Sequence, residues 1–227
     1  MGKLSIVATS IGNLEDITLR ALRILKECNV IYCEDTRVTS KLLARYEIQK
    51  PLFRLDVVTE REKTPEVINR LERGEKVVYV SDAGTPGGLS DPGSYLVAHV
   101  RKELPEVKIE AIPGASPLTA AISIGGVLMN EFLFRGFLPH KKGRQTALKE
   151  IASSERPVVL FESPHRILKL LAELEKLIPE AHVVIARELT KIHEEIVTGT
   201  AREVAASLQE RDAVRGEFVV LVEPTRE

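Results

Sequence analysis

The segment VVYVSDAGTPGGLSDPG, residues 77–93, joins a predicted strand to an acidic, glycine-rich loop. Its first half is β-branched and apolar, a pattern typical of a buried strand. Its second half contains the pattern Ser-Asp-x-Gly twice, beginning at Ser81 and at Ser90. Glycines at this density permit left-handed backbone conformations and a close approach to a ligand. The segment therefore predicts a strand that ends in a ligand-binding loop.

Apolar, β-branched runs alternate with segments of helical period along the whole chain. This alternation is typical of an α/β protein whose strands are largely parallel. Ligands of such folds bind beyond the carboxyl ends of the strands, where the distinctive short motifs of this chain also lie. The predicted strands are 4–9, 30–34, 52–55, 77–81, 107–112, 132–137, 158–162, 182–187, 195–199 and 217–222.

Capping residues mark several helix boundaries. Ser or Thr followed by Pro predicts a helix start at Thr64-Pro65, Ser116-Pro117 and Ser163-Pro164, because a cap oxygen precedes a ring whose φ is already helical. Thr200 begins a capping-box pattern, and Gly74 lies where a helix is expected to end.

A change in composition near Gly125 indicates a domain boundary. The chain that follows is richer in strands and includes a predicted hairpin around 195–199. We therefore predict two α/β domains, residues 1–115 and 116–227, with a ligand cleft between them.

The overall composition is that of a globular protein without a general nucleic-acid-binding charge. The 227 residues include 32 Lys and Arg against 33 Asp and Glu, and 44% are hydrophobic. No apolar run approaches the roughly 18–20 residues of a membrane helix, and no signal peptide precedes the first strand, so a cytoplasmic location is expected. Cys28 and Cys33 lack the partners of a zinc site, and no metal is expected.

The loop at 81–93 matches neither common phosphate-binding pattern. It lacks the Gly-Lys-Ser/Thr ending of a Walker loop, and the chain contains no G-x-G. Asp82 and Asp91 would repel an anion but suit a cation, such as the sulfonium of S-adenosylmethionine. A divalent metal on these two carboxylates is an alternative, although no D-x-D or EF-hand spacing supports it. Turn formation by the Ser and Asp side chains is compatible with either ligand.

Positive charge is concentrated in residues 131–170, which contain eight Lys and Arg against four Glu. The centre of this segment is LPHKKGR, residues 138–144, which is either a solvated loop or a surface that contacts nucleic-acid phosphates. Nucleophilic catalysis is not supported, because no G-x-S-x-G is present and neither cysteine has a catalytic signature. His165 is either a structural residue or a base.

Eight ordered motifs resemble those of the tetrapyrrole-methylase superfamily. They are TSIGNLEDITLRAL, CEDTR, VSDAGTP followed by LSDPG, IPGAS, FLFRGFLPHKKGR, FESPHR, ARELTK and GEFVVLVE, and the resemblance extends over residues 3–223. Within the superfamily they resemble the branch that methylates the 2'-hydroxyl of a cytidine in small-subunit (16S) ribosomal RNA. The resemblance implies a homodimer of two-domain subunits that bind S-adenosylmethionine in the interdomain cleft and act on ribosomal RNA or the small subunit.

The resemblance also implies which residues form the site. The implied donor-binding residues are Ile11, Asp82, Ala83, Gly84, Thr85, Ser116, Pro117, Phe161 and Glu162. The implied substrate-binding residues are Lys141, Lys142, Arg144, His165, Arg166 and Arg187. The implied catalytic residues are Asp35, Arg37, Glu188 and Lys191. Either Glu188 or Asp35 would take the proton of the hydroxyl group, and either Lys191 or Arg37 would stabilise its oxygen.

The chain departs from the superfamily pattern at three places. TSIGN replaces TPIGN, and three residues rather than two separate Pro86 from Ser90. LDVVTERE, residues 55–62, replaces a His-Glu-His-Asn-like segment and removes polar groups expected near the acceptor. Two alternatives remain open: the same fold and donor acting on a corrinoid or porphyrin precursor or in diphthamide synthesis, and a donor-binding protein without catalysis.

Overall fold

The computed structural model describes residues 2–87 and 91–223. The chain divides into two compact units, Met1–Ser116 and Pro117–Glu227. The boundary between the units lies one residue from the predicted domain boundary. In the described ranges, no helix is long and apolar enough to cross a membrane.

The first unit contains a five-stranded parallel sheet. Its strands lie in the order β3-β2-β4-β1-β5, so the first strand of the chain has β4 and β5 as neighbours. The strands are β1 (Lys3–Val7), β2 (Val30–Cys33), β3 (Leu52–Arg54), β4 (Lys76–Val80) and β5 (Lys108–Ile112).

Helices cover both faces of this sheet. They are α1 (Leu19–Glu27), α2 (Thr36–Arg45), α3 (Glu60–Glu72) and α4 (Ser94–Glu103), with a short 3-10 turn at Leu14–Asp16. Successive strand residues point to opposite faces, so Val78 and Val80 join one apolar cluster while Val77 and Tyr79 join the other. Because both faces are buried, β4 is apolar from residue 77 to residue 80, as its sequence pattern indicates.

The second unit contains a mixed five-stranded sheet in the order β6-β7-β10-β8-β9. Only β6 and β7 are parallel, because β10 lies antiparallel between β7 and β8, and β8 and β9 form an antiparallel hairpin. The expectation of largely parallel strands is therefore wrong for this unit. Its elements are α5 (Pro117–Gly125), β6 (Leu133–Phe137), α6 (Arg144–Ala152), β7 (Val158–Glu162), α7 (Ile167–Leu177), β8 (His182–Arg187), β9 (Glu195–Thr200), α8 (Ala201–Glu210) and β10 (Phe218–Glu223).

All ten predicted strands are present, and each end lies within two residues of its predicted position. The helix start at Pro117, the capping box at Thr200 and the end of α3 before Gly74 are also confirmed. The helix start at Thr64-Pro65 is wrong. Asp56 accepts hydrogen bonds from the backbone N–H groups of Val58 and Thr59 in a turn that leads into α3. The helix begins at Glu60, so Pro65 lies inside it.

The helix start at Ser163-Pro164 is also misplaced. The backbone N–H groups of Arg166 and Ile167 both donate to the Ser163 carbonyl, so a turn comes before α7, which begins at Ile167. This turn is held by side chains that belong to the candidate site.

Candidate active site

Loops that follow the central strands of the first sheet are hydrogen-bonded to one another at its carboxyl edge. The Thr9 N–H after β1 donates to the Gly84 carbonyl after β4 at 2.8 Å. The Asp35 N–H after β2 donates to the Asp82 carboxylate at 3.0 Å. Gly84 has a φ of +79°, a conformation that favours glycine. The loop SDAGT therefore lies at the point of the sheet where α/β proteins bind ligands.

The loop after β5 joins the same edge. The Thr85 hydroxyl donates to the Ala115 carbonyl at 3.2 Å. A Cβ at Gly114 would lie 2.8 Å from the Ala8 Cβ, so the residue after Pro113 must be glycine for the loops to approach this closely. Ser116 is the last residue of the first unit, and Pro117 opens α5.

Three carboxylates at this edge have raised pKa values. Burial raises the pKa of Asp82, Asp91 and Glu34 above the usual range, and the Asp82 charge raises the pKa of the other two further. The backbone N–H of Asp35 lowers the pKa of Asp82 without reversing the shift. A cation bound here would relieve the repulsion, so the edge fits a positively charged ligand such as a sulfonium.

Asp35 and Arg37 form a separate pair at the start of α2. The Asp35 carboxylate accepts from the Arg37 backbone N–H at 2.8 Å and binds its guanidinium at 2.5 Å. These hydrogen bonds lower the pKa of Asp35 to about 2. A carboxylate with so low a pKa is a weak base, so the arrangement disfavours Asp35 as the proton acceptor.

Glu60 is a site residue that the sequence analysis missed. Its buried carboxylate accepts from the backbone N–H groups of Gly93 and Leu96, at 2.8 and 3.1 Å, and so caps α4. Gly93 has a φ of +118°, and a Cβ there would lie 2.7 Å from the Tyr79 ring. The far end of the loop is thus anchored by Glu60. This residue lies in LDVVTERE, and its only signal was the departure of that segment from the expected pattern.

The predicted residues of the second unit are partly buried in an ion network. Glu162 lies at the end of β7 with its side chain fully buried, and it binds Arg166 at 2.7 Å and Arg144 at 3.8 Å. Arg144, only 3% exposed, also binds Glu173 at 2.7 Å. Arg166 and Arg144 donate to the consecutive backbone carbonyls of residues 138 and 139.

This network contains two of the predicted substrate-binding residues. Arg144 is not part of an exposed basic arm, because its guanidinium is buried between two carboxylates. Arg166 is directed inward, to Glu162, the Ser163 hydroxyl and the Leu138 carbonyl. We assign these arginines, with Glu162, to holding the loops after β6 and β7 in place. Of the predicted basic and aromatic residues nearby, Lys141, Lys142 and His165 are exposed, and Phe161 is partly buried.

The predicted catalytic residues of ARELTK lie in the β8–β9 turn. Glu188 has a φ of +52°, and its carboxylate accepts from Lys191 at 2.9 Å and from the Glu217 N–H at 3.0 Å. Burial acts to raise the pKa of Glu188, but these two donors outweigh it and leave the pKa below the usual range. Arg187 is bound to Glu195 at 2.8 Å and to a backbone carbonyl. Glu188 therefore also lacks the raised pKa that suits a general base.

Residues 2–87 and 91–223 contain no cluster of three or more His, Cys, Asp or Glu suited to a metal ion. Cys28 and Cys33 are buried free thiols, and burial raises the pKa of each. Both cysteines belong to the apolar cluster beneath α1 and α2.

Comparison with known proteins establishes the family. The model of the tetrapyrrole (corrin/porphyrin) methylases matches residues 3–205. The chain belongs to the tetrapyrrole methylase family. This confirms the resemblance of the eight motifs and the prediction that the chain is a methyltransferase.

Curated members of the tetrapyrrole methylase family match the chain over nearly its full length. The ribosomal RNA small subunit methyltransferase I of Thermotoga maritima is 41% identical over 222 residues, which are 98% of each chain. The protein of the same name from Borrelia garinii is 45% identical over 221 residues, 96% of this chain and 97% of the relative.

Solved structures of tetrapyrrole methylases share the fold. A cobalt precorrin-4 methyltransferase matches with a TM-score of 0.68 and 20% identity, covering 97% of this chain and 94% of its own. A uroporphyrin-III C-methyltransferase from Thermus thermophilus, complexed with S-adenyl homocysteine, matches with a TM-score of 0.66 and 20% identity. The match covers 98% of this chain and 97% of that structure. These matches confirm the predicted α/β fold class. The individual donor, substrate and catalytic residues remain predictions.

Proposed function

We propose that the chain transfers a methyl group from S-adenosylmethionine to the 2'-hydroxyl of a cytidine in small-subunit ribosomal RNA. The observation that carries this proposal is the 41–45% identity, over 96–98% of the chain, to proteins named ribosomal RNA small subunit methyltransferase I. The solved tetrapyrrole methyltransferases, at about 20% identity, support the fold but not a tetrapyrrole acceptor. No observation favours a donor-binding protein without catalysis.

The donor site is assigned to the carboxyl edge of the first sheet. When bound, S-adenosylmethionine would supply the methyl group of its sulfonium, and the neutral thioether would be the leaving group. Asp82 contributes negative charge toward that cation, and Glu34 and Asp91 add to it. Gly84 and Thr85 hold the loop against its neighbours through the hydrogen bonds to Thr9 and Ala115. Ile11, Ala83, Ser116, Pro117 and Phe161 complete the proposed donor-binding set.

The acceptor chemistry is assigned to two ion pairs, one in each unit. Arg37 is held by Asp35, and Lys191 is held by Glu188 and Glu217 at 2.9 and 3.1 Å. The carboxylates of Asp35 and Glu188 have lowered pKa values, so we assign them to positioning their cations rather than to removing the proton. The cations would stabilise negative charge as it develops on the 2'-oxygen, and the proton of the hydroxyl group would pass to solvent water. Lys141, Lys142 and His165 are proposed to contact the RNA, and Arg187 to support the β8–β9 turn.

We further propose that the two units are the predicted domains, that the donor binds in a cleft between them, and that the protein is a cytoplasmic homodimer. These proposals rest on the superfamily resemblance of the motifs.

The function is tested with donor binding and transfer measured separately. Isothermal titration calorimetry measures S-adenosylmethionine affinity. Tritium-methyl transfer is then measured with small ribosomal subunits that lack ribose methylation and, as a second acceptor, with a uroporphyrinogen. The expected result is label in the RNA, recovered after alkaline hydrolysis in a dinucleotide that a 2'-O-methyl group protects from cleavage. Label in the porphyrin precursor alone would overturn the RNA assignment.

Asp82→Ala is expected to weaken donor affinity about 10-fold or more, because removing one carboxylate deprives the cation of a partly buried opposite charge. Calorimetry with S-adenosylmethionine measures the change, and the exposed Asp212→Ala serves as a control that keeps the affinity of the parent protein. Equal affinities in Asp82→Ala and the parent would remove the loop from the donor site.

A further inference from the structure

Four of the six phenylalanines are concentrated around the edge strand of the second sheet. They are Phe132, Phe134 and Phe137, in or beside β6, and Phe161 on the neighbouring strand β7. Phe137 is 52% exposed and Phe132 is 39% exposed. In a chain that is only 4% aromatic, this concentration at one sheet edge is not explained by core packing alone.

A bulge in β6 brings two of these rings to one side. Phe134 pairs with Val159 and Phe137 pairs with Phe161, so three steps along β6 match two steps along β7. Gly136, with a φ of +56°, lies within this irregularity. Because β7 residues 159 and 161 share a face, Phe134 and Phe137 also share one. Their ring centroids lie 5.1 and 5.6 Å from that of Phe161. Bulges of this kind redirect side chains at functional edges.

The edge of β6 also forms one wall of a pocket, and α6 forms the other. The pocket has a volume of about 490 Å³, within the range of small-ligand sites. Its lining includes Phe134, Phe137, Pro139, Gly143 and Thr146. We call it the edge pocket. Arg135 and Glu150, which also line it, form an ion pair with each other.

A cationic turn lies directly beside the edge pocket. Pro139 and Gly143 both line it, and the three residues between them are the exposed His140, Lys141 and Lys142. The turn is anchored at its base, since Arg166 binds the Leu138 carbonyl at 2.9 Å and Arg144 binds the Pro139 carbonyl at 3.4 Å. An exposed aromatic ring beside an anchored pair of lysines offers stacking and charge to the same ligand.

We propose that the edge pocket binds an unpaired nucleotide of the RNA substrate, with its base stacked on Phe137 and its phosphate near Lys141 and Lys142. This inference rests on the proposed function and adds a binding site for RNA outside the donor site. Aromatic rings stack on any base face, and cationic side chains neutralise the backbone, which together suit single-stranded rather than duplex RNA. A purely apolar partner would leave the lysines without a role.

The test uses an eight-residue single-stranded RNA that carries one pyrrolocytosine, with binding followed by fluorescence anisotropy and stacking by quenching. Phe137→Ala is expected to weaken binding about 5- to 150-fold and to abolish quenching, because base–aromatic stacking contributes that much per base. Phe137→Trp should retain both signals. Leu19→Ala, an 86% exposed apolar side chain of the first unit, is the matched control and should change neither.

Salt dependence separates the ring from the lysines. Phe137→Ala should leave the slope of log affinity against log salt unchanged, whereas Lys141→Ala with Lys142→Ala should reduce it by about 0.7 for each phosphate that is no longer neutralised. Thr146→Trp should fill the pocket and weaken binding while leaving every phenylalanine in place. This variant keeps the proposal testable if Phe137→Ala does not fold.

Several results would overturn the proposal. Unchanged RNA affinity in both Phe137→Ala and Thr146→Trp would do so, as would a parallel loss of donor affinity, which would mean that Phe137 acts through Phe161. Conversion of a dimer to a monomer in Phe137→Ala would show that a second copy of the chain covers the edge.

Failure of the proposed function is distinguishable from failure of the edge pocket. If the protein methylates the small ribosomal subunit and both pocket variants bind RNA as the parent does, only the proposed nucleotide site is contradicted. Phe137-dependent quenching without any methyl transfer to ribosomal RNA removes only the proposed function.

Discussion

At the scale of single residues, the donor edge combines carboxylates with opposite pKa shifts. Asp35, hydrogen-bonded by Arg37, has a pKa of about 2, whereas burial raises the pKa of Asp82. The carboxylate held by an arginine keeps its charge at any physiological pH. Ionising Asp82, whose pKa is raised, lowers the free energy of unfolding. A bound cation would offset this loss.

The raised pKa values predict that donor affinity depends on pH. A cationic donor favours the ionised form of Asp82, Asp91 and Glu34, so its affinity should be full above their raised pKa values and fall as these groups protonate. The stability of the free protein should depend on pH in the opposite direction. Its free energy of unfolding should increase as pH falls through the same pKa values. Calorimetry between about pH 4 and pH 7 in buffers of different ionisation enthalpy measures the change and the protons released.

Asp82→Asn is the control for this titration and should flatten the pH dependence. Affinity that is constant over the acid range in the parent protein would contradict the assignment of these carboxylates to the donor.

At the scale of the elements, the loops after β6 and β7 are joined by one buried group. Glu162 lies at the end of β7, accepts a hydrogen bond from the N–H of Ser163 at 2.8 Å and forms an ion pair with the guanidinium of Arg166. Through Arg166 and Arg144 it also fixes the backbone that leads into the cationic turn. One Glu162 oxygen, Oε2, is buried without a hydrogen-bond partner among the described residues, so the network is incompletely paired. We assign Glu162 to positioning these loops, because Arg166, Arg144 and the Ser163 N–H all lie against its carboxylate.

Glu162→Gln is expected to destabilise the folded protein by about 3–5 kcal/mol, because removing one partner of a buried ion pair leaves the other charge uncompensated. The ion pair of Arg144 with Glu173 favours the lower end of this range. Urea denaturation followed by circular dichroism measures the difference.

The exposed Glu155→Gln should change stability by less than about 0.5 kcal/mol and serves as the control. If Glu162→Gln is as stable as the parent protein but binds the donor more weakly, Glu162 belongs to the donor site and not to the support of these loops.

At the scale of the whole molecule, the same alternation of predicted strands and helices gives two sheets that differ in strand direction. The first sheet is parallel throughout, with the loops of the donor edge meeting at one end. The second is mostly antiparallel, with its edge strand β6 carrying the aromatic residues of the edge pocket. The carboxylates proposed to face the donor therefore belong to the first unit, and the rings proposed to stack on the nucleotide belong to the second sheet.

The proposed homodimer predicts a mass in solution of twice the 25.2 kDa of the chain. Size-exclusion chromatography with light scattering measures it. Phe137→Ala should give the same mass as the parent, because the edge pocket is assigned to RNA rather than to a second copy. A single-chain mass at all protein concentrations would contradict the dimer.

Much of the fold was predictable because it is encoded locally. Apolar, β-branched runs predicted all ten strands, and Thr200 and Pro117 marked helix starts, since each signal depends on neighbours a few residues away. The prediction of a helix start at Pro65 is wrong because the turn formed by Asp56 already leads into α3. The part of the loop at residues 88–90, including the additional residue of the Ser-Asp-x-Gly repeat, lies outside the described residues.

The sequence by itself determined the strands, the family and the placement of the motifs at strand ends, because periodicity and ordered motifs are properties of the chain. Only the tertiary structure decided which polar and charged groups, distant in the sequence, contact one another. Asp35 meets Asp82 across 47 residues, and Arg144 meets Glu173 across 29. These pairings depend on which strands are neighbours, β2 with β4 and β6 with β7, and no local pattern specifies that order. For that reason Arg144 changed from a predicted phosphate-binding residue to a buried support, and Glu60 emerged as an anchor of the acidic loop.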